Sequence, residues 1–276
     1  MTAGPATTIL VDGHTHLHDA FDPVRFVETV DDNLRRGRPD ASDVTCALVA
    51  STDARPALEG LRARLAGGLP GGGSVLPTEE DASLVVARGG RPRTVLVAGR
   101  QLRTAERLEL LLWGCGDGDG ARFDGAGFAA TLDAALASAP LVIVPWAFGK
   151  WALGRYSRIR DAFAALSDED RSRLLLGDNA NRPPWRLPRP LARLRDEGFA
   201  VLPGSDPFPF EDEVHRVGTF GLALECALDL ERPAASIGEA LRRDAARGRT
   251  IGGPLGMTGF VRNQVRIRLR RGEAAR

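Results

Sequence analysis

Apolar residues along the chain alternate between short β-type runs and helical stripes. The first run, 8–11, ends in a polar stretch. "DPVRFVETVDDNLRRG" then brings Phe26, Val27, Val30 and Leu34 to one helical face, with Asp22 placed to cap and Pro23 in the first turn. "DVTCALVAST" is continuously apolar, as a strand covered on both faces is, and "DARPALEGLRARLAGG" predicts a helix closed by glycine. After a flexible glycine stretch, "SLVVAR" and "RTVLVAG" flank Gly89-Gly90 and predict a β-hairpin. "RLELLLWGC" predicts a strand, "GFAATLDAALASA" a helix and "PLVIVPWAFGKW" a buried strand. "SRIRDAFAALS" and "SDEDRSRLL" predict helices, the latter capped by Ser167. "RLLLGDNANRPPW" and "FAVLPGSDPFPF" predict strands that run into polar loops, with the helix "RPLARLRDEG" between them. "HRVGTFGLALECAL" and "SIGEALRRDAARG" predict two more helices, the second with Ser236 and Glu239 at capping-box spacing.

Strands alternating with helices, with no internal repeat and no long linker, point to a parallel sheet or barrel with helices outside. Over 276 residues this gives one domain, 1–276, of α/β class. The expected architecture is a distorted (β/α) barrel, TIM-like with seven or eight strands, carrying a β-hairpin insertion at 83–99.

Charge narrows the partners. The net charge is +1, and no apolar run is long enough for a membrane span, so neither a membrane nor nucleic acid is expected as a partner. "MTAGPATT" lacks the basic start and apolar core of a signal peptide. Cys46, Cys115 and Cys226 are odd in number and lie in apolar runs, which fits reduced core thiols in the cytoplasm. The tail carries six arginines after Val261 against one glutamate. Its "VRIRLR" suits an edge strand with arginines outward or a segment packed on the barrel, and no aromatic follows Phe260 to stack on bases. The acidic loop "CGDGDGARFDGAG" lacks the closing glutamate of a calcium loop.

In barrels and open α/β sheets, reactive groups gather at the carboxyl ends of strands. The polar residues there are Asp12, His14, His16 and His18 after the first strand. Trp146, Gly149 and Lys150 follow a middle strand, Asp178, Asn179, Asn181 and Arg182 a later one, and Ser205 and Asp206 the last clear one. Two histidines two apart share a strand face and make half a tetrahedral metal site, which a carboxylate such as Asp206 would complete. A divalent ion there would polarise an ester or amide and lower the pKa of water toward neutrality. Asp12 is placed to orient His14, and His18 is a third candidate ligand if the strand continues. Lys150 is the sole lysine among 37 basic residues. An adjustable amine serves where a guanidinium does not; the open roles are a metal-bridging carbamate, an anion-binding ammonium or a solvent-facing residue. Arg155 and Arg182, with Lys150, are candidate holders of a phosphate or carboxylate. Asp178 is a candidate ligand or catalytic carboxylate.

The run "VDGHTHLH" resembles the opening motif of two barrel families of metal-dependent hydrolases, the PHP (polymerase and histidinol phosphatase) family and the amidohydrolases. "AGRQLRTAERLELLLWG" and "LPGSDPFPF" resemble two later PHP segments, in the expected order. Gln101 stands where that family has a metal-binding glutamate, Phe208 where it has a histidine, and "LVIVPWAFG" lacks its Ala-His-Pro. For the amidohydrolases, Lys150 would be the carbamylated lysine and Asp206 the final aspartate, with the later histidines absent. The resemblance implies a hydrolase of phosphate esters or amide-like bonds in a small anionic substrate, the phosphoesterase being favoured. His14, His16, Asp206 and His18 would bind metal, zinc or manganese, and Asp206, Asp178 and Lys150 would be the reactive groups. The alternative is a degenerate barrel that binds or regulates without catalysis.

Overall fold

The structure, a computed structural model, describes residues 6–36, 38, 43–52, 58–69, 72–115, 124–184 and 186–274. The predicted start of the second helix at 53–57 and the acidic loop at 116–123 lie outside the described residues.

Eleven strands form one mixed sheet. The path begins with β1 (Ala6–Thr15), β2 (Val44–Ser51) and β5 (Arg91–Arg103). It continues through β6 (Glu109–Trp113), β7 (Leu141–Trp146), β8 (Leu174–Asn179) and β9 (Val201–Gly204). On the other side of β1 lie β10 (Phe220–Ala227) and β11 (Arg249–Gly252). These nine strands curl into a nearly closed barrel, one or two strands more than expected. The seam brings β9 against β1: a Cβ on Gly204 would lie 2.5 Å from His14 Cβ.

The predicted hairpin is present: its second strand, β5, belongs to the barrel path and its first, β4 (Ser83–Arg88), lies off it. β4 turns through Gly89 and Gly90, both at positive φ, into β5, whose other edge pairs in parallel with β2. β3 (Gly73–Leu76) extends this flap from the glycine stretch. The sheet is mixed because Thr104–Leu108 is a tight turn where a parallel connection would need a crossover helix, so β6 runs antiparallel to β5 and β7.

Side chains alternate across the wall. Val11, Cys46, Leu48, Val97, Leu111, Ile143, Leu175 and Leu202 fill the inside, closed from one end by α7 (Pro233–Asp244). The opposite faces pack under α1 (Pro23–Arg36) and α2 (Glu59–Leu65) on one side. On the other they pack under α3 (Phe128–Ser138), α4 (Arg155–Ala164) and α6 (Arg189–Asp196). Ser167 caps the short α5 (Asp168–Ser172), accepting from the Asp170 N–H at 3.1 Å.

Three expectations are corrected. The segment predicted as a helix over 215–228 is mostly β10. Its short apolar run suits either state, and pairing with β1 decides it; Gly221 allows the approach, since a Cβ there would lie 2.5 Å from Val11 O. α7 begins at Pro233, so Ser236 is no cap: its hydroxyl donates to Pro233 O at 3.2 Å. Of the two readings of the arginine-rich tail, the edge strand is excluded and the packed segment is what forms: it is α8 (Met257–Ala274), with Phe260 and Asn263 buried against the body. Among the described residues no helix is long and apolar enough to cross a membrane.

Candidate metal centre

Plain alternation along β1 would put Asp12 and His14 on one face. Pairing with β2 shifts register between Asp12 and Thr15, where three steps on β1 match two on β2. Before this bulge Ile9 and Val11 face the interior. After it the parity reverses: Thr15 donates to Leu48 O at 2.7 Å, and His14 and His16 turn into the barrel mouth. Gly13 permits the bulge, because a Cβ there would lie 2.4 Å from Leu202 Cγ.

Asp12 stays on the outer side. Its carboxylate accepts from the backbone N–H of His14 (3.1 Å), Ser205 (2.9 Å) and Gly218 (2.9 Å), and from the Ser205 hydroxyl (2.5 Å). It therefore holds the backbone of His14 and ties the ends of β1 and β9 together, and does not touch the His14 ring. Complete burial pushes its carboxyl up to about 7, against the four hydrogen bonds that favour its charge.

His14 Nε2 and His16 Nε2 lie 3.0 Å apart, and Asp206 Oδ1 is 3.6 Å from the first and 3.5 Å from the second. Among the described residues these three form a group able to hold a metal ion. Tetrahedral bonds of about 2.0–2.1 Å set donors about 3.3 Å apart, so the triangle has the dimensions of one coordination shell. The tautomer agrees for His16: its Nδ1–H donates to Ala50 O at 2.7 Å, leaving an Nε2 lone pair for the centre. His14 Nδ1 is buried without a hydrogen-bond partner. Burial, then the neighbouring His14, holds the His16 pKa below the usual imidazole value, so His16 favours the neutral, ligating form.

Asp206 is held from three sides. Its N–H donates to His14 O at 2.8 Å, Asn179 Nδ2 donates to its Oδ2, and Asn181 Nδ2 donates to its carbonyl. Its backbone is left-handed, φ 41°, a conformation that aspartate tolerates and most residues do not. Burial acts to raise its pKa, but His14, His16, Lys150 and Asn179 together hold it below the usual carboxylate range.

The other sequence candidates are distributed as follows. His18 Nε2 hydrogen-bonds Pro207 O at 2.9 Å, its ring 5.5 Å from that of His16. Lys150 donates to Glu109, which shares the inner face of β6 with Leu111 and Trp113. Arg155 donates to Lys150 O at 3.4 Å. Asp178 does not join the cluster: on β8 the inward positions are Leu175, Gly177 and Asn179, so Asp178 points outward. There Arg182 grips both its oxygens, at 2.7 and 2.9 Å. Gln101 Oε1 is 3.3 Å from His14 Nε2, and the Phe208 N–H donates to Glu213 at 3.4 Å. Asn179 and Asn181 were placed at the strand end by the sequence but given no role, and Glu109 was passed over. The alternation Leu175-Gly177-Asn179 was a usable signal for the first.

No protein-family model matches the chain, and no curated protein does. Solved structures do. PsfC from Pseudomonas syringae PB-5123 is similar at 14% identity over 97% of this chain and 99% of that one, TM-score 0.48. The lesion-specific endonuclease PfuEndoQ from Pyrococcus furiosus is similar at 15% identity over 88% of this chain and 57% of that one, TM-score 0.52. Endonuclease Q in complex with a 27-mer duplex substrate is similar at 14% identity over 86% of this chain and 57% of that one, TM-score 0.50. The chain thus spans a little over half the length of the endonuclease chains. The expectation that excluded nucleic acid is corrected by this finding, because Endonuclease Q takes a duplex substrate on the shared fold. A net charge near zero averages over local patches and excludes no such partner. The chain has the barrel fold of Endonuclease Q, with a His-His-Asp cluster at its mouth.

Proposed function

We propose that this protein is a metal-dependent hydrolase of PHP type, cleaving phosphate esters in preference to amide-like bonds. His14, His16 and Asp206 would hold one divalent ion, zinc or manganese. The observation that carries the reading is the triangle of Nε2, Nε2 and Oδ1 atoms at 3.0, 3.5 and 3.6 Å in the barrel mouth. Three protein ligands with a fourth position open is the pattern of catalytic sites rather than structural ones. When bound, the ion supplies Lewis acidity toward the scissile ester and makes water nucleophilic at neutral pH. The chain's residues do the rest. Asn179 and Asn181 fix Asp206, and Ala50 fixes the His16 ring. Lys150, steadied by Glu109 and backed by Arg155, sets a cation where an anionic oxygen enters. Arg182 and Asp178 brace β8 from behind. Three buried free thiols suit a reducing cytoplasm.

A second reading, a barrel that binds without catalysis, is favoured by neutral Gln101 beside His14. Metal analysis and turnover of bis(p-nitrophenyl) phosphate separate the two. The hydrolase reading expects about one equivalent of metal, and loss of both metal and turnover in His14→Ala/His16→Ala. Metal retained in that variant overturns the site, and metal without turnover in the wild type selects the binding reading.

A further inference from the structure

The loop after β7, residues 147–154, anchors one aromatic and displays another. Trp151 is buried, donates its indole N–H to Pro145 O at 3.1 Å and stacks on Tyr156. Phe148 is 57% exposed. Leu153 is 92% exposed and sits at φ 57°, a conformation costly for leucine and imposed by the anchored loop.

Phe148 meets Phe260 of α8 edge-on, ring centroids 5.3 Å apart. From there an apolar stripe runs along α8: Met257, Val261, Val265 and Leu269, four residues apart and all exposed, bordered by the buried Phe260 and opposite the buried Asn263. Exposed Arg262 and Arg268 flank it. The span 262–271 holds five arginines and no acid. The acids beneath are matched: Asp212 accepts both Arg266 terminal nitrogens at 2.8 and 2.7 Å, and buried Glu213 lies against Asn263 and Arg216 and pairs at 3.7 Å with Arg262, whose side chain stays half exposed and can turn to a phosphate, while Arg268 faces solvent.

This surface rims the candidate centre. The Leu255 N–H, just before α8, donates to Ala180 O at 2.9 Å, beside the Asn181 that holds Asp206. At the other end Lys150, two residues after Phe148, reaches Glu109. Planar apolar faces repeated between phosphates are the property of a polynucleotide strand, and aromatic stacking beside a cationic track is how proteins hold one. A second copy fits poorly, since antiparallel pairing of two stripes about Val265 would set arginine against arginine.

We infer that this rim binds single-stranded or unpaired nucleic acid, with Phe148 stacked on a base and Arg262 and Arg268 following the phosphates past the His14–His16–Asp206 cluster. The inference rests on the hydrolase reading only for what happens to a phosphate at the mouth; binding stands apart from it. Fluorescence anisotropy with a short labelled single-stranded oligonucleotide tests it. Wild type should bind, and Phe148→Ala should weaken binding about tenfold or more. Phe148→Leu, which keeps apolar packing against Phe260, should weaken it nearly as much, and Phe148→Trp should retain it. Arg262→Ala/Arg268→Ala should reduce the slope of log affinity against log salt by about 0.7 per arginine. Inorganic polyphosphate should bind without regard to Phe148, and His14→Ala/His16→Ala should keep oligonucleotide affinity. No binding by wild type at low salt overturns the inference. So does affinity unchanged in both Phe148→Ala and Phe148→Leu, or Phe148-dependent binding to phosphatidylserine vesicles in place of the oligonucleotide. Turnover of the nitrophenyl ester without oligonucleotide binding refutes the platform and spares the hydrolase; the converse result does the opposite.

Discussion

Two buried polar groups stand on consecutive residues of β8 and behave oppositely. Asp178 faces outward, with both oxygens held by Arg182, whose spare N–H groups donate to Pro183 and Arg186 carbonyls. That pair is complete within itself. Asn179 faces inward to Asp206 and the two imidazoles, whose Nε2 atoms sit 3.0 Å apart with His14 Nδ1 unpartnered. Burial is common to both groups, and each meets a charged partner, Arg182 for the first and Asp206 for the second. Satisfaction separates them: a closed ion pair holds the fold, and a cluster with lone pairs converging on one point is shaped for a cation.

The comparison breaks most visibly through Arg182. Arg182→Ala leaves Asp178 buried and uncompensated and should cost about 3–5 kcal/mol in urea unfolding while leaving metal content unchanged. Asp178→Leu/Arg182→Met should recover most of that stability. If Arg182→Ala instead removes metal at full stability, the division between the two groups is wrong.

A smaller effect comes from Asp12. Its carboxyl rises from an ordinary 3.8 to about 7, so the fold keeps a proton that the unfolded chain has released. The associated stability is full below the unfolded value and is lost as pH climbs through about 7. Unfolding of the wild type should show this decline, and Asp12→Asn should flatten it; parallel profiles would assign the slope to another group.

The smallest effect sharpens the open cluster. Gln101→Glu adds a carboxylate beside His14 and should tighten metal binding on the order of tenfold by calorimetric titration, with little change in melting temperature. Weaker binding would mean that Gln101 supports His14 as an amide.

The first strand's motif was readable because His14, His16 and Asp206 lie at strand ends and carry a recognisable pattern. Lys150 was singled out by composition, yet Glu109 was not, because no local pattern links residues on β6 and the β7 loop. Asp178 was given a candidate role and Asn179 was not, although alternation along β8 turns the asparagine inward. The tail was judged poor for stacking because no aromatic follows Phe260, but the fold supplies Phe148 from a distant loop.

The sequence by itself determined the α/β class, most strands and helices, the hairpin turn at Gly89-Gly90 and the His-x-His with its distant aspartate. These follow from local periodicity, backbone preference and residue chemistry. Tertiary structure alone decided that the segment after Gly218 is a strand, because β1 offered it an edge. It decided that the tail is a helix beside the mouth, and that Glu109 meets Lys150. It also turned the histidines inward: the bulge at Gly13 is defined by register against β2 and room against Leu202, and neither partner is a neighbour in the chain.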